Sequence, residues 1–374
     1  MRFTLQNTRL LQPGVLFAAV LLISLPLPAN DLQRIATFKV AVPAQNRATD
    51  SRASNGLVYL RPGVLALWHT EKRAGELSRR ARVQPTDPWW LQLQVISTEN
   101  GKVLRTVEFP SRREASGIAV QKDGLPVVLT GPLVRCLSPD LQQNGSYLLQ
   151  NASEPKGTVG INSSPGTGRV FVAESGDTSA VTTVDAATCK ALTRVQPPDD
   201  VLVLSGTDDV LIGSSGLSLA IFGQDQKWQV LYQHPVCCFA PPVVVSKDKI
   251  AVVQLDQENM RSSEHHLLLV SMDGKLLLDD MLERGTAVES IVTNQAGTHA
   301  AAVTSKRQLL ITSTKVEATS YDLYVRVYRL DAPQRIANLK VTVGGEEFFA
   351  MAISPDGSQM ALQTGTKLTI YRLR

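Results

Sequence analysis

Residues Phe348–Arg374 read FFAMAISPDGSQMALQTGTKLTIYRLR, three short apolar segments separated by Pro355-Asp356-Gly357 and by Thr364-Gly365-Thr366. Gly, Pro and Asp supply the backbone angles of tight turns, so the stretch predicts three consecutive antiparallel strands. The preceding unit has a fourth: YVRVYRL (Tyr324–Leu330) is followed by Asp331-Ala332-Pro333 and then QRIANLKV (Gln334–Val341). The last unit stops at YRLR. Far upstream, at Gln33–Val40, the chain reads QRIATFKV, identical to QRIANLKV at six of eight positions. This strand is expected to complete the C-terminal sheet and close a ring, which removes the unpaired edges of an open array of sheets.

The same plan recurs upstream. Gly56–Tyr59, Gly63–His69, Trp90–Ile96 and Lys102–Phe109 form a first unit, whose last two strands are joined through Asn100-Gly101, a strong hairpin signal. Units opening at GIAVQKDG, GTVGINSSPG, VLVLSGTDD, PPVVVSKDK and SIVTNQAG follow, and AMAISPDG opens the seventh. Across 374 residues no linker or composition break appears, which favours one repeat-built domain over several cores. The expectation is an all-β, seven-bladed propeller of four-stranded blades over residues 30–374, with 33–40 as the closing strand of the last blade.

The pattern AISPDGSQMALQTGTKLTIYRL resembles the repeat of the WD40 and YVTN families of seven-bladed propellers, and GIAVQKDGLPVVLTG and VLVLSGTDDVLIGSSG match it more loosely. The resemblance spans nearly the whole chain after the N-terminal segment. It implies a fold and not an activity, because propellers host unrelated functions.

Arg2 and Arg9 precede an apolar run from Val15 to Leu25 and then Pro26-Leu27-Pro28-Ala29. This order of basic, apolar and small residues predicts a secretory signal over 1–29, cleaved after Ala29, and hence a secreted or periplasmic chain with no membrane span after signal removal. An uncleaved anchor is the alternative. The formal charge of +4 includes those two arginines; without them 36 basic residues face 34 acidic ones. That balance argues against a nucleic-acid partner.

In propellers like these the b-to-c and d-to-a connections share one face, here called upper. Three long b-to-c segments fall there, at 70–90, 257–266 and 306–320. Long loops on a rigid scaffold are where binding concentrates. The first carries Lys72, Arg73, Arg79, Arg80 and Arg82 and ends at Trp89-Trp90, a basic, aromatic-flanked segment suited to an acidic protein or glycan partner. The d-to-a entries carry Glu114, Asp199, Asp200, Glu289, Glu346 and Glu347, while the fifth blade substitutes His234-Pro235-Val236-Cys237-Cys238. Carboxylates around a channel mouth suit a hard cation. The inner segments GIAV, TVGI, VLVL, PVVV, SIVT and AMAI lack charged residues and histidine, and so lack acid–base groups.

His69, His234, His265 and His266 fall at upper strand ends and His299 at a lower turn, without metal-site spacing. No nucleophile elbow and no phosphate-binding glycine loop occurs, and no cofactor is expected. Four cysteines allow three disulfide connectivities: Cys136 and Cys189 lie on neighbouring blades, and Cys237 and Cys238 are adjacent. The reading reached is an exported, monomeric, non-catalytic binding module. Its alternative is a propeller enzyme of lactonase or quinoprotein type, using Glu289, Glu346, His234 and Cys237-Cys238 at the channel mouth.

Overall fold

The computed structural model describes residues 32–40, 55–73, 89–111, 116–149, 159–174, 179–198, 201–223, 227–233, 239–240, 242–255, 265–282, 286–311, 316–344 and 349–373. They form seven four-stranded antiparallel sheets. With strands lettered a to d from the channel outward, blade 1 is Asn55–Arg61, Val64–Lys72, Trp89–Ser97 and Val103–Ser111. Blade 2 is Ser116–Val120, Pro126–Thr130, Leu133–Leu137 and Gln143–Leu148; blade 3 is Val159–Ser163, Arg169–Glu174, Ala180–Asp185 and Lys190–Val195. Blade 4 is Leu202–Gly206, Leu211–Ser215, Ser218–Phe222 and Trp228–Gln233; blade 5 is Val243–Ser246, Lys249–Leu255, His265–Ser271 and Leu276–Met281. Blade 6 is Ala287–Thr293, His299–Ile311, Val316–Arg329 and Gln334–Gly344. Blade 7 takes Phe349–Ile353, Gln359–Thr364 and Lys367–Arg372 from the C-terminus and its d strand, Gln33–Lys39, from the N-terminus.

The closing strand pairs antiparallel with Lys367–Arg372, from Gln33 opposite Arg372 to Lys39 opposite Lys367. The likeness between QRIATFKV and QRIANLKV extends to the register. Arg34 faces Tyr371 and Ala36 faces Ile370, skipping Ile35; in blade 6 Arg335 faces Tyr328 and Ala337 faces Val327, skipping Ile336. Each of the seven c–d pairs has one such extra residue in the d strand. A bulge raises local twist and bends the strand, so the same device shapes every outer edge.

Alternation along the strands sends one apolar set to each side of a blade, so the core is divided into layers between blades. Leu57, Leu65 and Leu67 of blade 1 pack on Ala361, Leu368 and Ile370 of blade 7, which seals the ring. Leu91, Leu93 and Phe109 on the other side of blade 1 pack on Val128 and Leu137 of blade 2. The closing strand contributes Phe38 to the first layer, and its ring lies so close to Gly101 that a Cβ there would overlap it. Gly101 also has φ of +71°, a conformation that favours glycine on its own account.

Cys136 of strand c in blade 2 is bonded to Cys189 in the c–d turn of blade 3, with Cα atoms 5.7 Å apart. Of the connectivities left open by the sequence, this one joins neighbouring blades. Gly145 makes room for it, because a Cβ there would lie 2.8 Å from the Cys189 Cβ. Cys237 and Cys238 lie outside the described residues. Among the described residues no helix is long and apolar enough to cross a membrane.

Candidate functional site

The two sides of the ring differ. On the a-to-b and c-to-d side every connection is five residues or fewer. On the opposite, upper side the long b-to-c segments occur in blades 1, 5 and 6.

In blade 6 the sequence predicts a loop at 306–320, and the structure replaces it with a β-hairpin. Strands b and c continue past Ser305–Leu323 for six further rungs, from Lys306 opposite Asp322 to Ile311 opposite Val316. At about 3.4 Å per residue the ribbon rises roughly 20 Å past the end of the inner strand, where Ala287 stands opposite Ser305. Strand d supports its lower part as far as Gly344 opposite Ser320. At the base, the Lys340 ammonium meets the Asp322 carboxylate at 2.8 Å and lies 5.7 Å from the Tyr324 ring centre.

In blade 1 the segment is shorter than expected, because Thr70, Glu71 and Lys72 pair with Leu91, Trp90 and Trp89. Both tryptophans therefore belong to strand c. Trp89 is buried, while Trp90 is half-buried beneath the Arg73 guanidinium, 5.3 Å from its ring centre. The other contacts of Arg73 are acidic: Nη1 and Nη2 donate to Glu108 at 2.8 and 2.7 Å, and Nε donates to Glu71 at 2.5 Å. Gln92 also donates to Glu108, at 2.8 Å. The hydrogen bonds from Arg73, then from Gln92, hold the Glu108 carboxyl down to about 2. One of the basic residues counted toward an acidic partner is thus neutralised within the blade. His69 lies on the same face, opposite Gln92, with Nδ1 unpartnered. Burial pushes its pKa below the ordinary value. Arg79, Arg80 and Arg82 lie outside the described residues.

Glu289 is not in the entry to blade 6, as its sequence position suggests, but inside inner strand Ala287–Thr293. It is the extra residue where Val288 faces Thr304 and Ser290 faces Val303. This exposed residue accepts a hydrogen bond from the Ser305 hydroxyl. The inner strands as the structure bounds them therefore include one carboxylate near the upper mouth. Glu114, Asp199, Asp200, Glu346, Glu347, His234, Cys237 and Cys238 lie outside the described residues, as do 257–264 of the blade 5 segment. His265 and His266 begin strand c of blade 5, where His266 Nδ1 meets Asp279 at 2.7 Å. Among the described residues no three His, Cys, Asp or Glu side chains are grouped as a metal site.

Toward its lower end the channel holds a cavity of about 180 Å³, lined by inner strands of six blades, including Val58, Ile118, Ile161, Ile291 and Ala352. Its polar lining is neutral: Asn162, Ser163, Ser164, Thr293, Asn294 and Gln295. The Tyr59 phenol also borders it and is raised by burial, then by Asp356. Gln295 of blade 6 reaches across the lower mouth and donates to the Gln121 carbonyl of blade 2 at 2.7 Å. These walls can hold water or a neutral polar group, and the described residues that line the cavity include no carboxylate, histidine, lysine or arginine.

Compared by sequence, the chain matches no protein family and no curated protein. Compared by fold, it is similar to WD40-repeat propellers. The structure of U3-55K superposes with a TM-score of 0.56 at 12% identity, over 90% of this chain and 98% of that one. The WD40 repeats of RRP9 give 0.54 at 13% identity, over 92% and 100%. The C-terminal WD40 domain of Sif2 gives 0.50 at 12% identity, over 92% and 98%. At these identities the likeness is one of fold alone.

Proposed function

We propose that this chain is an exported, non-catalytic propeller that binds a protein partner through the upper side of blades 1 and 6. The observation that carries the reading is the asymmetry of the ring. A ribbon about 20 Å long projects on the side that also holds the segment between Lys72 and Trp89, while the other side has only short turns. The distal rungs of the ribbon pair Leu309 with Ala318, Leu310 with Glu317 and Ile311 with Val316. A two-stranded ribbon is marginal in water by itself, so one with this apolar content gains most by covering itself with another surface. The neutral lining of the cavity toward the lower end of the channel supports binding over catalysis.

The test is affinity capture from the native compartment, comparing the wild-type chain with a variant whose residues 309–316 are replaced by Asn-Gly. The variant is expected to keep the wild-type melting temperature and to lose a partner that wild type retains. Identical captured sets for the two chains would sink the upper-side assignment. Export rests on the N-terminal segment, and N-terminal sequencing checks its cleavage: a mature chain beginning at Asn30 is expected, and one beginning at Met1 contradicts cleavage after Ala29.

A further inference from the structure

The layer between blades 3 and 4 is underfilled. On the blade 3 side Phe171, Thr183 and Thr193 stand opposite one another on strands b, c and d. On the blade 4 side Leu211, Phe222 and Trp228 form the matching row. Blades in a ring diverge outward, so outer positions need bulk to fill the wedge. Between blades 1 and 2 that bulk is Leu91, Leu93 and Phe109; here the two threonines, Thr183 and Thr193, border a cleft of about 600 Å³. The size falls within the range of small-molecule sites, roughly 300–1,000 Å³.

Its walls and its lip differ in character. Phe171, Leu211, Phe222 and Val195 line the interior, and the Phe222 ring packs on Trp228 with centres 5.3 Å apart. At the lip are Arg169, Asp208 and Asp209. Arg169 is committed to Asp208: its Nε lies 3.4 Å from the carboxylate, and Nη1 donates to the Asp208 carbonyl. Among the described residues no cation stands within ion-pairing distance of the Asp209 carboxylate. Arg194 borders the cleft as well, but its guanidinium is directed to the Glu174 carboxylate, 3.8 Å away and outside the lining. At the lip itself two carboxylates then stand against the Arg169 guanidinium, a net negative charge, and aromatic faces attract cations through their quadrupole.

We propose that this cleft binds a small organic ammonium with an aromatic or branched apolar body, the body between the blades and the ammonium at Asp209. The site is separate from the upper side, and its test leaves that reading untouched. Three probes share one body and differ in head charge: phenethylammonium, 2-phenylethanol and phenylacetate, each titrated at neutral pH by ligand-observed NMR. The ammonium is expected to bind about threefold tighter than the alcohol and about tenfold tighter than the carboxylate, the scale of one exposed charge contact with each sign. Thr193→Trp, at an exposed strand position that tolerates an aromatic, is expected to abolish binding of all three. Asp209→Asn is expected to remove the preference for the ammonium while leaving the alcohol unchanged. If Thr193→Trp does not fold, Thr193→Lys places a competing ammonium at the mouth and is expected to expel phenethylammonium alone. Absence of saturable binding, binding indifferent to both Thr193 variants, or equal affinity for the three heads would each overturn the proposal.

Discussion

Asp280 shows how much one side chain can govern. From strand d of blade 5 it accepts a hydrogen bond from the Tyr328 hydroxyl at 2.7 Å and faces two guanidinium groups of blade 6, Arg335 at 3.0 Å and Arg326 at 3.5 Å. Arg326 is almost fully buried and its Nε has no partner, so removing Asp280 would leave a buried charge uncompensated. Asp280→Ala is expected to cost about 3–5 kcal/mol in urea unfolding, whereas Asp280→Asn is expected to cost less by keeping the Tyr328 contact. His69 carries a pH prediction. Burial lowers its folded-state pKa, so below the ordinary value of about 6.5 the unfolded chain takes up a proton that the folded chain resists. Its contribution is therefore intact above that pH and declines as pH falls below it. Unfolding curves at pH 7.5 and 5.5 are expected to show a smaller loss for His69→Gln than for wild type; His299, also lowered by burial, keeps the remainder. Equal losses would contradict the assignment. None of this was legible in sequence, because Asp280 and Arg326 are 46 positions apart and meet only when two blades stack.

Among the elements, the closing strand carries the sharpest expectation. It was legible because a strand near the N-terminus repeats the outer strand of blade 6 almost residue for residue, and the structure reproduces even the bulge at Ile35 and Ile336. Deleting residues through Val40 would leave Lys367–Arg372 as an open edge with its backbone groups unpaired. Such a chain is expected to elute from size exclusion as aggregate, and a monodisperse, folded product would contradict the closure. Within the strand, Phe38→Ala is expected to lower stability by about 2 kcal/mol, below the cost of a fully buried Phe because the ring is only half-buried. The blade 6 hairpin was the opposite case. Thr312-Ser313-Thr314-Lys315 lacks the Asn-Gly or Asp-Gly signature of a tight hairpin, and the flanking residues mix charge with apolar character. Its pairing follows from continuation of two strands already held by blade 6, which residue type alone does not announce.

For the whole molecule, the ring holds by layers between blades and by cross-links that span them. The Cys136–Cys189 bond closes a segment of 53 residues between blades 2 and 3. Loop-closure entropy for that length corresponds to about 4 kcal/mol, within the usual range of 2–5. The Cys136→Ser, Cys189→Ser double variant is expected to lose stability on that scale in equilibrium unfolding, while wild type with reductant approaches the same value. No difference between the chains would show that the layer around Val134, Val170 and Val184 holds the two blades unaided. The Gln295 reach to Gln121 joins blades on opposite sides of the channel, a contact that exists only because the ring closes.

The sequence by itself determined the seven-fold plan, the four strands per unit and the identity of the closing strand, because turn residues and period-two alternation are local properties that repeat. It also placed the long segments on one side, since strand order dictates which connections share a face. Tertiary structure alone decided what those segments and charges became. Arg73 turned inward to Glu71 and Glu108, Glu289 entered the inner strand as a bulge, and a predicted loop at 306–320 rose as a ribbon. The cleft between blades 3 and 4 was decided there as well. Whether a threonine leaves a void depends on what the facing blade brings to it, and that is a property of two surfaces distant in sequence.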